Sequence, residues 1–176
     1  MKLRKLAAGL IAAAALSLTS AVASATTGPY YTCIKRTVTD FQGTIVDAAV
    51  ATPQLSTLVS LVTQAGLASA LSTTQNLTVF APTNDAFAKV DQSVLSAIGS
   101  NSAVLGAVLG YHVVASAQDP RRWSQPQPRT TLSNQRLYIW HDGVYARVNN
   151  SKVNCQGIKT SNGIVWLIDS VLLPQF

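Results

Sequence analysis

Residues 76–90 read NLTVFAPTNDAFAKV, and the join at Ala81-Pro82 decides how the rest of the chain is arranged. Leu77-Thr78-Val79-Phe80 is a short β-branched and aromatic run of the kind that forms a strand. Pro82 holds Ala81 extended and stops that strand. Thr83 or Asn84 is placed to cap a helix beginning at about Asp85, accepting from an orphan backbone N–H. The Asp85 carboxylate suits the positive end of such a helix, and Phe87 then folds back onto apolar neighbours such as Val79. Every position in the turn has a structural use. Thr83 has no sequence-evident base, so the junction is expected to brace architecture rather than carry catalysis.

Upstream of the junction the pattern is helical. Thr44 to Ala51 reads as a first helix, and Pro53 stands where a helix tolerates proline, in its first turn. Leu55, Leu58, Val59 and Val62 follow at the spacing of a half-buried helix. Gly66 ends it, and Leu67 to Leu71 adds a short helical turn. Downstream, Ser93 to Ile98 and Ser102 to Leu109 form two further short helices, each closed by glycine. The character then changes to strand at Tyr111-His112-Val113-Val114. Residues 116–130 form an irregular loop with prolines and arginines. Leu137 to Trp140 and Val144 to Val148 alternate as strands around an Asp142-Gly143 turn. Asn162-Gly163 marks another turn, and Ile164 to Leu173 is the last strand, ending at Pro174. Helices first and strands later, without regular alternation, predict an α+β domain.

The chain has 176 residues with a net charge of +6. A basic start at Lys2, Arg4 and Lys5 precedes an alanine-rich apolar run, Leu6 to Leu18, and then small residues at Ala21 to Ala25. That is the order of a secretory signal, cut after Ala25; a retained N-terminal anchor is the competing reading. The run is short against the about 20 residues of a membrane span. The expected organisation is a removed signal at 1–25, a leader at 26–42 and one domain at 43–174. Removing the signal takes three of the thirteen basic residues and none of the seven acidic ones, leaving 151 residues and a charge of +3. So small a charge argues against a dedicated nucleic-acid face. Cys33 and Cys155 lack metal-ligand spacing and are expected to pair as a disulfide in an exported chain; two free thiols are the alternative.

The segment Leu77 to Phe87 resembles the first signature block of the fasciclin domain family. Tyr111-His112 after a helical stretch resembles the family's central Tyr-His motif. Asn162 to Pro174 resembles its second block, and Thr44-Ile45-Val46-Asp47 its usual opening. Four blocks in order span about residues 43–174. The resemblance implies a fasciclin-like fold, with N-terminal helices packed on a β-sandwich-like wedge formed largely by the C-terminal half. It also implies a module of cell surfaces and extracellular matrices that supports adhesion without being an enzyme. The signal adds a secreted or periplasmic location, with association with the cell envelope left open. Two departures limit what carries over. Trp166 replaces a His common in the last block, and no Arg-Gly-Asp is present, so integrin binding does not transfer.

Candidate binding residues are therefore few. Tyr111-His112 matches the adhesion-associated motif, with a framework histidine as the plainer reading. The stretch Asp119 to Arg129 offers Arg121 and Arg122 for bidentate pairing with carboxylate or sulfate, Arg129 as a third cation, and Trp123 for stacking on a sugar. Its competing reading is a tucked Trp123 with solvated arginines. The two His and scattered Asp give no metal constellation and no triad geometry. No cofactor or metal is expected. The expected role is adhesion through a cell-surface or matrix protein or polysaccharide, with self-association open. The alternative is a periplasmic carrier or receptor for a glycan or small ligand, using the 119–129 loop with Trp140 and Trp166.

Overall fold

A computed structural model of the chain describes residues 33–175; the expected signal at 1–25 and the first part of the leader lie outside them. The order begins with a short strand β1 (Thr39–Asp40), then helix α1 (Ile45–Val50). Thr44 caps α1 in a capping box, its hydroxyl accepting from the Asp47 N–H while the Asp47 carboxylate accepts from the Thr44 N–H at 2.8 Å. A 3₁₀ turn with Pro53 at its start leads into α2 (Ser56–Gln64), followed by α3 (Ala68–Thr73). Strand β2 (Leu77–Pro82) and helix α4 (Asn84–Ala88) form the quoted junction, and α5 (Gln92–Ser100) and α6 (Ser102–Tyr111) follow. The remainder is sheet: β3 (Val113–Val114), β4 (Gln127–Thr130), β5 (Arg136–His141), β6 (Ala146–Val148), β7 (Ser151–Lys159) and β8 (Gly163–Ile168).

The strands run in the order β3-β2-β8-β7-β6-β5-β4, with β1 parallel to β7. All other neighbours are antiparallel except β2 and β8, which are parallel in register from Leu77 opposite Gly163 to Pro82 opposite Ile168. An isolated bridge between Val114 and Thr131 brings the two ends of the sheet together, so the β-layer is a nearly closed, sandwich-like barrel. The expected α+β architecture holds, with helices on one side of a wedge made mostly by the C-terminal half.

The β2–β8 pair divides two cores. Leu77, Val79, Ala81, Val165 and Leu167 face the helices with Ile45, Leu58 and Phe87, whereas Phe80, Trp166 and Ile168 face the barrel interior with Leu137, Ile139 and Val148. A parallel pair buried on both faces reads as a continuous apolar run, which is how β2 reads.

At the junction the two candidate caps take different jobs. Thr83 caps α4, its hydroxyl accepting from Ala86 N–H at 3.3 Å. Asn84 is the first residue of that helix, and its side chain instead accepts from Thr57 N–H at 3.0 Å and donates to Pro53 O at 3.1 Å. It thereby caps the start of α2, whose own preceding residue, Leu55, supplies no side-chain cap. The strand also runs on through Pro82, two residues beyond its expected end, because that residue pairs with β8.

Asn162 is the second tie. It is buried, its Oδ1 accepts from Ile45 N–H at 2.9 Å, and its Nδ2 donates to Leu71 O at 2.7 Å and Thr74 O at 2.9 Å. One amide thus joins α1, α3 and the β7–β8 turn. The following Gly163 lies so close to β2 that a Cβ there would collide with the Leu77 carbonyl oxygen. Strand β7, not foreseen in the sequence, runs through the middle of the sheet, with Gly157 under the Trp166 ring where a Cβ would stand 2.9–3.0 Å from ring carbons. Cys33 and Cys155 are joined as a disulfide. Residues 33–42 pack against the domain through that bond and β1.

Replacing Asn162 by Ala leaves the Ile45 N–H and the Leu71 and Thr74 carbonyls without this partner. At about 1–3 kcal/mol per unsatisfied buried group, urea unfolding should show a loss of roughly 3 kcal/mol or more. Replacing both Cys33 and Cys155 by Ser opens a loop of sequence separation 122 and should cost up to about 5 kcal/mol in the same measurement.

Candidate interaction surface

Tyr111 and His112 sit where α6 hands the chain to the sheet, and both are buried. The Tyr111 hydroxyl donates to Arg136 O at 2.9 Å and accepts from Asn149 Nδ2 at 3.0 Å. The His112 ring lies between Val108 O, 2.7 Å from Nδ1, and the Leu172 N–H, which donates to Nε2 at 2.9 Å. A carbonyl accepts only and an amide N–H donates only, so the proton is on Nδ1 and the ring is neutral. The ring clamps the C-terminal segment to α6. Burial lowers the His112 pKa to about 4, partly opposed by the Val108 carbonyl.

Arg121 is buried as well. Its Nε and Nη2 donate to the two Asp119 carboxylate oxygens at 2.9 and 2.8 Å, and its Nη1 donates to Arg36 O at 2.7 Å. The guanidinium lies 4.9 Å from the centroid of the Trp166 ring. Trp166 is itself fully buried and donates from Nε1 to Gln118 O at 3.0 Å. The bidentate pairing foreseen for Arg121 is thus made within the chain. Arg121 rivets the segment near Cys33, the loop and the barrel core together. Trp166, foreseen as an aromatic near a ligand, is a core residue.

The outward chemistry lies with the remaining three loop residues. Arg122 is exposed, and Trp123 is 40% exposed. Arg129 lies 5.7 Å from the Trp123 ring centroid and donates from Nε to Gln118 Oε1 at 2.6 Å. The Trp123 carbonyl accepts from His141 N–H at 2.7 Å, which staples the loop against the end of β5. On β5, the alternating pattern buries Leu137 and Ile139 and turns Tyr138 and Trp140 outward. Tyr138 and Trp140 line an open trough of about 880 Å³ with Pro126, Arg136 and Asn150. Aromatic faces beside amide and guanidinium groups suit a sugar or an extended polar chain. Beyond β5, Asp142 is pushed up by partial burial but held down to about 2 by the stronger pull of the Tyr145 and Val144 N–H groups and Arg147; this shapes the turn.

The trough was missed in the sequence, although the period-two alternation of Leu137 to Trp140 carries the signal. Asn162 gave only a turn signal. Among the described residues no group of His, Cys, Asp and Glu could hold a metal ion, and no single helix is long and apolar enough to cross a membrane.

The His112 shift makes stability depend on pH. Its folded pKa of about 4 lies below the ordinary value of 6.5, so the unfolded chain binds the extra proton in that interval. Stability is full above about pH 6.5 and falls toward pH 4 by about 3 kcal/mol from this residue. Denaturant unfolding between pH 7.5 and 4 should show that slope, and His112→Asn should be less stable at pH 7.5 but flatter with pH.

Comparison with known proteins places these features in context. The model of the fasciclin domain matches residues 53–174. The immunogenic protein MPB70 of Mycobacterium bovis is 36% identical over 138 residues, covering 76% of this chain and 70% of that protein. The cell surface glycolipoprotein MPB83 of the same species is 33% identical over 142 residues, covering 76% and 61%. Protein sll1483 of Synechocystis is 33% identical over 143 residues, covering 80% and 79%. In three dimensions the chain resembles a FAS1 domain pair from the insect cell adhesion molecule Fasciclin I, with a TM-score of 0.52 at 15% identity, over 75% of this chain. The chain spans about half, 51%, of that pair, and the likeness concerns the fold alone. With the family model covering most of the described residues and relatives matching along most of its length, the chain belongs to the fasciclin domain family.

Proposed function

We propose that this protein is an exported, non-catalytic interaction module that binds a polysaccharide or protein of the cell envelope or matrix. The observation that carries this reading is the segregation of polar chemistry. His112, Arg121, Asn84 and Asn162 spend their hydrogen bonds inside the domain. Trp123, Tyr138 and Trp140 are left on the outside around the β4–β5 edge, and Arg122 is exposed beside Asn76 and Lys159. A relative named as a cell surface glycolipoprotein supports the reading. Aromatic side chains with an apolar body and little rotamer freedom are the usual anchors of such surfaces. Buried Tyr111, His112 and Arg121 would contribute by holding that surface in shape.

A second reading, a receptor for a soluble saccharide, is favoured by the trough itself, where Tyr138 and Trp140 stand two residues apart on one face of β5. Free oligosaccharide that competes with envelope binding at the trough would select it.

Purified protein titrated onto envelope fractions of the source organism should lose roughly tenfold or more in affinity when Trp123 and Trp140 are both replaced by Ala. Melting temperature should change little, as expected for surface positions. Undiminished binding by that variant would sink the proposal.

A further inference from the structure

On the far side of the β2–β8 pair from the barrel core, the helical layer does not close completely onto the sheet. A cavity of about 240 Å³ remains between α1, α2 and α3 on one side and β2, β8 and α6 on the other. Ile45, Leu58, Val62, Leu71 and Val165 contribute to its wall, and no charged side chain lines it. Two of its polar lining groups are already engaged. The Thr63 hydroxyl donates to Val59 O at 2.9 Å, and both His112 nitrogens have partners. Nothing in the wall described here calls for a polar ligand. A dry void of about 150 Å³ walled by Leu, Ile and Phe is large enough to take up benzene, and this one is larger.

Its form is set by β2. Leu77, Val79 and Ala81, alternate residues of that strand, all line it, so its wall includes about 13 Å of strand. An apolar wall that follows one strand for that distance suits one extended hydrocarbon chain.

The helix opposite leaves the space open. Gly106 and Gly110, one turn apart in α6, both line the cavity. A glycine inside a helix weakens it about fivefold relative to alanine, so its presence asks for a reason. Close packing is not the reason at Gly106, where an added Cβ would meet nothing within 4 Å. The residue's visible effect is unfilled volume. Thr63, Ala70 and Leu132 line the cavity and are exposed, so the wall meets solvent there, and Leu132 is an apolar side chain left 49% exposed.

We propose that this cavity takes up a single unbranched acyl chain, its methyl end inward and its polar end in water at the Thr63–Ala70–Leu132 rim. The site is separate from the aromatic trough and independent of it. With no charged side chain in the lining, recognition rests on the hydrocarbon. The head group contributes little.

Sodium octanoate, decanoate and 1-decanol, each below its aggregation limit, titrated into the protein by calorimetry and backbone NMR, test this. Decanoate should bind about tenfold more tightly than octanoate, from its two extra buried methylenes. Decanol should bind within a few-fold of decanoate, and the amides of Leu71, Gly106 and Val165 should shift. Gly106→Leu should raise the melting temperature and weaken decanoate binding at least tenfold. Should that variant fail to fold, Ala49→Leu narrows the same space from the opposite wall and should weaken binding likewise. No uptake, equal uptake by the filled variant, or association only with phosphatidylglycerol vesicles would overturn the proposal. So would closure of the cavity by a second copy of the chain, seen as concentration-dependent mass without decanoate uptake.

Discussion

The parallel pairing of β2 with β8 is the constraint on which the rest depends. These two strands come from positions more than eighty residues apart, with Leu77 opposite Gly163 and Pro82 opposite Ile168. Their side chains alternate between the helical core and the barrel core. A slip of one residue would exchange the two sets and place Phe80 and Trp166 among the helices. Two local devices oppose that slip. Gly163 permits the approach to the Leu77 carbonyl, and Asn162 ties the start of β8 to α1 and α3. Register, core division and helix placement are therefore one decision.

Buried and half-buried polar side chains in this protein work as fasteners between elements distant in sequence. Asn84 caps a helix that is not its own, His112 holds Leu172, and Arg121 joins the loop to the segment after Cys33. Each buried group has partners, and no buried side-chain nitrogen or oxygen among the described residues is left without one. A partly satisfied network would be costly in a low-dielectric interior. The same economy explains why the outer face differs. Side chains there, such as Trp123 and Tyr138, have their aromatic surfaces partly in water and are available to something outside the chain. The rigidity of the fasteners beneath serves that surface, because a preorganised surface loses less freedom when it binds.

How much was legible in the sequence varies with the range of the cause. The first helix starting at about Thr44, the i, i+3, i+4, i+7 helix at Leu55 to Val62 and the strand at Leu77 rest on neighbours within a few residues, and they were read correctly in kind. Strand β7 was not, because Asn154, Gln156 and Gly157 dilute its apolar pattern; Gly157 looks like a breaker until Trp166 is seen lying over it. The short β4, with Pro128 inside it, was taken as loop; it lies at one end of the strand order and pairs with β5. The candidate site was legible in residue types but not in exposure. The six chosen side chains divide into three buried and three at least partly exposed, since burial depends on what the fold brings against each.

By itself the sequence determined that helices come first and strands later, the separation of an apolar strand from its capped helix, and the class of the domain. Those follow from hydrogen bonds and periodicities acting along the chain. Only the tertiary structure decided that Asn84 and Asn162 are ties, that Arg121 is bonded to Arg36 O, and that Tyr138 and Trp140 share a trough. The reason is physical. A side chain's partners across 27 or 91 positions are set by the packing of whole elements, and no local pattern records them.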